Sequence, residues 1–218
     1  MAIALALIFS GHAANSETQE CGNGAFTIET PSQSLGTQLC GDLLDARDLL
    51  LSCGLEQTRP ISIKVVGEIS HPIGKCLSYF ECGFDVISIT APEKFGDILS
   101  PYDPYALLPP EVLLESLVTH ELAHALVTQS ADARDIDIVD QEYIAAALEL
   151  ENMEATWREV LIGAAPVSLP PKPDLIDIMI YGLAPRKFAT NAWQHFRLTE
   201  NGCSLIARIV EGRFSFAR

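Results

Sequence analysis

Apolar positions along the chain fall into two kinds of pattern, short β-rich runs first and long helical periodicities later. Residues 40–52, CGDLLDARDLLLS, place Leu43, Leu44, Leu50 and Leu51 at helical spacing, with a stop signal at Gly54. Three runs rich in β-branched and aromatic residues follow: ISIKVVGEI (61–69), CLSYF (76–80) and FDVISIT (84–90). They predict a small, mainly antiparallel sheet. Residues 91–110 hold five prolines and little periodicity, which predicts a surface loop. A long helix is expected from Pro110 to about Gln129, then an acidic connector, SADARDIDIVD, and a second long helix over 141–162. APVSLPPKP (165–173) reads as a Pro-rich hinge, and shorter helices are expected near 174–181, 187–198 and 203–211. There is no internal repeat. The order gives an α+β class: one domain over 15–218, with a sheet-containing half to about residue 109 and a helical half over 110–218.

The first residues change the expected compartment. MAIALALIFS is apolar but too short to span a bilayer, and small residues (GHAANS) and then polar ones (SETQE) follow it. That layout predicts a signal peptide over 1–14, although the basic segment that usually opens one is missing. The chain is therefore expected to be exported, periplasmic or secreted, with no stable membrane anchor. Six cysteines lie beyond the leader and none forms a CxxC pair, so three disulfides are expected. Cys40 and Cys53 cannot pair across a helix, which separates them by ~20 Å. Cys203 must then reach back to the N-terminal half.

Composition removes other classes. The chain has 29 acidic residues against 14 Lys and Arg, a formal net charge of −15. Such a surface repels phosphate backbones, so nucleic acid is excluded as a partner.

The chemistry is concentrated in His120-Glu121-Leu122-Ala123-His124, an HExxH pattern. Two histidines at i and i+4 project from one helix face within reach of a single ion. The glutamate between them can take a proton from water without itself binding the metal. Leu113, Leu114, Leu117, Val118, Leu122, Ala123, Ala125, Leu126 and Val127 cover nearly the whole circumference of this helix, so it is expected to be buried. Buried histidines and a carboxylate need partners, and zinc supplies one. The third ligand is expected from the next helix. Glu142 lies on the edge of its apolar stripe, 18 residues past His124, and Glu149 is the competitor at a similar angle. Asp132, Asp135, Asp137 and Asp140 read as a solvated acidic loop, and His71 as a turn residue.

LVTHELAHAL followed by QEYIAAALE resembles the gluzincin group of zinc metallopeptidases, in which a glutamate on the following helix completes HExxH, commonly with small residues a turn later, as Ala145 and Ala146 are here. The likeness covers about residues 84–155. HELAHALVTQS lacks the further Gly and His of a metzincin. The resemblance implies a minimal zincin-like fold, with a sheet above the active-site helix and an edge strand, FDVISIT or CLSYF, that binds an extended peptide by backbone pairing. It also implies an oxyanion donor from the C-terminal part, where His195 and Tyr181 are available.

The expected activity is zinc-dependent hydrolysis of peptide bonds in extracytoplasmic peptides or proteins. Glu121 serves as base, Zn2+ is held by His120, His124 and Glu142, and His195 or Tyr181 assists. Two alternatives compete. One is a zincin fold that binds metal in a structural or regulatory role; the other is an exported binding protein whose HExxH is accidental.

Overall fold

In the computed structural model, which describes residues 16–71, 74–132 and 134–217, the strands all precede residue 91 and all but one of the long helices follow it. The sequence-based leader over 1–14 lies outside the described residues. β1 (Glu17–Cys21) and β2 (Phe26–Thr30) form an antiparallel pair, and α1 (Gln33–Ser52) follows from an N-cap at Ser32 whose hydroxyl accepts from the Leu35 N–H. α1 therefore begins two turns earlier than its leucines indicate. It ends in a Schellman motif: Gly54, at φ +80°, donates to the Leu51 carbonyl while Leu55 donates to Leu50.

β3 (Ile61–Val66), a hairpin of β4 (Ile69–His71) and β5 (Gly74–Cys76), and then β6 (Ser78–Glu81) and β7 (Val86–Thr90) complete the strands. The main sheet has the order β1-β2-β3-β7-β6. Its outer pairs are antiparallel, but β2–β3 and β3–β7 are parallel. The sheet is thus mixed rather than mainly antiparallel, because α1 carries the chain from β2 across to β3 and restores the strand direction. FDVISIT is interior (β7), and CLSYF supplies the edge (β6).

Alternation sets the buried face. Ile28, Ile63, Ile87 and Phe80 stand opposite one another across four strands and are all buried. Ser78 is two residues from Phe80 along β6, so it faces the same helix layer. That layer is α1 and α3 (Pro110–Ser130), with α4 (Ile138–Asn152) packed against α3. α3 is buried on nearly every side, as its composition predicts.

The helix expected over 141–162 is two helices, α4 and α5 (Ala155–Ala164), separated by extended Met153. Arg158 Nη1 donates to the carbonyls of Leu150, Glu151 and Met153, and so closes the end of α4 from within α5. α2 (Phe95–Ile98) interrupts the 91–110 loop, and α6 (Ile178–Leu183), α7 (Pro185–Leu198) and α8 (Gly202–Val210) complete the chain.

Two disulfides are present rather than three: Cys21–Cys40 and Cys53–Cys203, the latter tying α8 to the end of α1. Cys76 and Cys82 are free. No helix among the described residues is long and apolar enough to cross a membrane.

Candidate metal centre

α3 and α4 bring together His120, His124 and Glu142, whose candidate ligand atoms all lie within 4.8 Å of one another. His120 Nε2 and His124 Nε2 face each other at 3.2 Å. Glu142 Oε2 lies 3.4 Å from His120 Nε2, and Oε1 lies 3.6 Å from His124 Nε2. Glu142 is 7% exposed, and its Oε2 is buried without a hydrogen-bond partner. A buried carboxylate oxygen left without a donor is costly. Two imidazole nitrogens pointing at the same place add an acceptor pair beside it. This group fits a metal ion.

Glu149 has a different place. Its Oε2 lies 2.8 Å from His120 Nδ1, on the far side of the ring from Glu142, and its Oε1 accepts from the hydroxyls of Tyr105 and Ser116. With the Nδ1 proton donated to Glu149, Nε2 presents a lone pair to the ligand group. Glu149 thus orients His120 from behind.

Charge supports the same reading. Burial disfavours an imidazolium at His120, but contacts with Glu142 and Glu149 outweigh this and raise its pKa well above the ordinary value. His124 is lowered, by burial first and then by the neighbouring His120 charge. Burial pushes both glutamates up, yet the His120 contacts prevail and hold Glu142 and Glu149 below the usual range. Without a metal, a proton on His120 is the counter-charge for two buried carboxylates, and a divalent cation can replace it.

Glu121 is turned toward the sheet. Its Oε1 accepts from Ser78 Oγ at 2.7 Å, so the edge strand β6 fixes the glutamate beside the ligand group. Two cavities meet here, both bounded by Ser78, His120, Glu121 and Tyr181. One, of about 470 Å³, runs toward Lys75, Asp103 and Arg186. The other, of about 440 Å³, runs toward Tyr79, Cys82 and the α3–α4 connector. Together they form a cleft along the edge strand.

Tyr181, on α6, lines both halves of this cleft. Burial and then the adjacent Glu142 charge push its phenol well up, so it stays protonated. His195 does not reach the cleft. Its Nδ1 lies 3.0 Å from Tyr143 Oη, and its ring packs edge-on against Tyr143 and Phe216 on the other side of α4. The expected role for His195 at the reacting centre is therefore not supported by its position.

Asp140 is not part of a solvated loop. It is 2% exposed and accepts from Ser215 Oγ and the Phe216 N–H, which fasten the C-terminal segment to the start of α4. His71 ends β4, in register with Gly74, rather than standing in a turn. Sequence reasoning missed Ser78, Tyr105 and Ser116, because each reaches its carboxylate across 33 to 44 residues of chain. It also missed Arg186, which binds Asp103 through two nitrogens and lies over the Tyr105 ring.

The model of a family described as being of unknown function matches residues 26–218 of the chain. No curated protein and no solved structure matches it.

Proposed function

The chain belongs to that family, DUF6639, and on its own geometry we propose that it is a zinc-dependent hydrolase of peptide bonds, exported and acting on peptides or proteins. The observation that carries the proposal is the convergence of His120 Nε2, His124 Nε2 and the buried Glu142 carboxylate, whose Oε2 makes no hydrogen bond, at the floor of a cleft, with Glu121 held beside them by Ser78.

Two imidazole nitrogens and one carboxylate are the ligand set that suits a catalytic zinc. When bound, zinc supplies an activated water and polarises a carbonyl. The remaining chemistry belongs to the chain. Ser78 occupies one oxygen of Glu121, and the other is left to take a proton from water and deliver it to the leaving amine. The protonated Tyr181 phenol, at the junction of the two cavities, donates toward the developing oxyanion. Glu149, Tyr105 and Ser116 hold His120 in the required orientation.

We read the architecture as zincin-like on the same grounds. An antiparallel edge strand, β6, runs over the HExxH helix, and the helix after it returns a glutamate to the histidine pair. Among the described residues β6 is the outermost strand on its side of the sheet, and an outermost strand can offer backbone groups to an extended peptide. Export accords with the two disulfides.

The test is cleavage of a mixed peptide library by zinc-loaded wild type and by Glu121→Gln. Wild-type cleavage that falls by three orders of magnitude or so in Glu121→Gln, with zinc retained, is expected from loss of the base. Cleavage unchanged by the substitution refutes the assigned base. A zinc-loaded protein that cuts nothing points instead to a structural or regulatory metal module.

A further inference from the structure

The carboxylate behind His120 is itself held in place, and the contacts that hold it lead out to the rim of the cleft. Glu149 divides its oxygens: Oε2 faces His120 Nδ1 at 2.8 Å, while Oε1 accepts from the hydroxyls of Ser116 and Tyr105. Ser116 lies on α3 a turn before His120, so the helix fixes it. Tyr105 has no such support. It stands in a short 3-10 turn, Pro104–Leu107, within the Pro-rich stretch between β7 and α3. Turns of this kind have poorer backbone hydrogen-bond geometry than an α-helix, so side-chain contacts must hold the ring.

Asp103 and Arg186 supply those contacts. Asp103 Oδ1 caps the turn by accepting the Tyr105 N–H at 2.9 Å. The same carboxylate accepts from Arg186 Nε at 3.0 Å and from Nη2 at 3.2 Å. Two such bonds fix the plane of a guanidinium as a single bond does not. The guanidinium lies over the Tyr105 ring, its Cζ 3.3 Å from the ring centre, and Tyr105 is buried beneath it. Arginine suits a stacked, forked contact of this kind and lysine does not. Arg186 also opens α7, which packs against α4, the helix that carries Glu142 and Glu149. A lone ion pair at a cleft rim contributes little. This one also caps a turn and covers a ring whose hydroxyl ends on Glu149.

We infer that Arg186 is a positioning residue for the metal centre. Locked to Asp103 and stacked on Tyr105, it keeps the Tyr105 hydroxyl on Glu149 Oε1. Glu149 Oε2 is thereby left to fix the His120 ring, with Nε2 facing His124 and Glu142. This role rests on the reading of His120, His124 and Glu142 as a metal site.

The experiment measures zinc affinity of the full chain by competition with a chromophoric chelator, alongside urea unfolding of each metal-free protein. Arg186→Gln and Tyr105→Phe are each expected to weaken zinc about tenfold, the lower end of what outer contacts to a metal ligand are worth. Because Arg186 acts through the Tyr105 hydroxyl, combining the two should weaken zinc no further than Tyr105→Phe alone. Arg186→Lys keeps the charge but not the planar fork, and should restore little of the affinity. A merely structural role would lower the urea midpoint and leave the affinity of the folded protein unchanged. If Arg186→Gln does not fold, Asp103→Asn, which keeps the oxygen that caps the turn but weakens the fork, carries the same test. Wild-type affinity in the folded variants, or losses that simply add in the double variant, overturns the inference while the metal site stands. A wild-type chain that binds no zinc removes the metal reading, and the positioning role with it.

Discussion

Replacing Glu149 with glutamine separates the two glutamates of α4, whose sequence positions look alike. Glu149 is 2% exposed and is approached by three groups: His120 Nδ1, Tyr105 Oη and Ser116 Oγ. Glutamine keeps the shape but offers one acceptor oxygen and turns an NH2 toward at least one of those donors. A buried hydrogen bond to a charged group contributes roughly 1.5–3 kcal/mol, so the metal-free protein should lose about 2–4 kcal/mol of stability. The ring of His120 also loses the carboxylate that fixes its tautomer. Outer carboxylates of this kind are worth about 10- to 100-fold in metal affinity. Glu142→Gln instead removes a ligand atom and should reduce affinity by more than that. The assay is competition for zinc against a chromophoric chelator, paired with urea unfolding of each metal-free variant. An affinity loss confined to Glu149→Gln, with Glu142→Gln close to wild type, would refute the assignment and move the third ligand one step along the helix. Unchanged affinity in Glu149→Gln would show that the carboxylate does not orient His120.

Further expectations concern other parts of the molecule. Removing the Cys53–Cys203 bridge by paired Cys→Ala substitution opens a closure spanning 150 residues, worth at most about 5 kcal/mol by loop entropy, against about 3 for Cys21–Cys40; urea unfolding should rank them in that order. The Asp42 carboxyl is raised to about 7 by burial, then by Glu115 and Asp45. Because the folded value lies above the unfolded one, the protonated form is favoured in the fold, and stability falls as pH rises from about 4 to 7 and stays lower above that. Asp42→Asn should therefore raise the melting temperature at pH 8 but not at pH 4. The gain should be about 1–2 kcal/mol once solvent screening of this partly exposed group is allowed for. Tyr181→Phe should lower kcat about 100-fold with zinc retained, whereas His195→Ala should leave kcat unchanged and cost stability by stranding Tyr143 Oη; steady-state kinetics and melting curves distinguish the two.

Much of the helical half was legible because its signals are local. HExxH, the all-round apolar circumference of α3 and the position of Glu142 on α4 all follow from spacing at 3.6 residues per turn. What escaped depended on contacts between distant segments. β1, ETQEC, is polar except for Cys21 and gains its strand character from pairing with β2, while β2, FTIET, buries Phe26, Ile28 and Thr30 in alternation over only five residues and is fixed by pairing with β1 and β3. The parallel pairing of β2 with β3 was hidden because it depends on α1 being a crossover. The break between α4 and α5 has no Gly or Pro to announce it and is held by Arg158 from the far side. Glu142 and Glu149 were indistinguishable by helical angle. Only the third dimension shows that one faces the Nε2 edges of the histidines and the other the Nδ1 edge of His120.

The most direct measurement is the metal content of the purified full chain and of Glu142→Gln, by elemental analysis after exhaustive dialysis against metal-free buffer. The account predicts one zinc per wild-type chain, lost in Glu142→Gln. No stoichiometric metal in the wild type, or full retention in the variant, would contradict it.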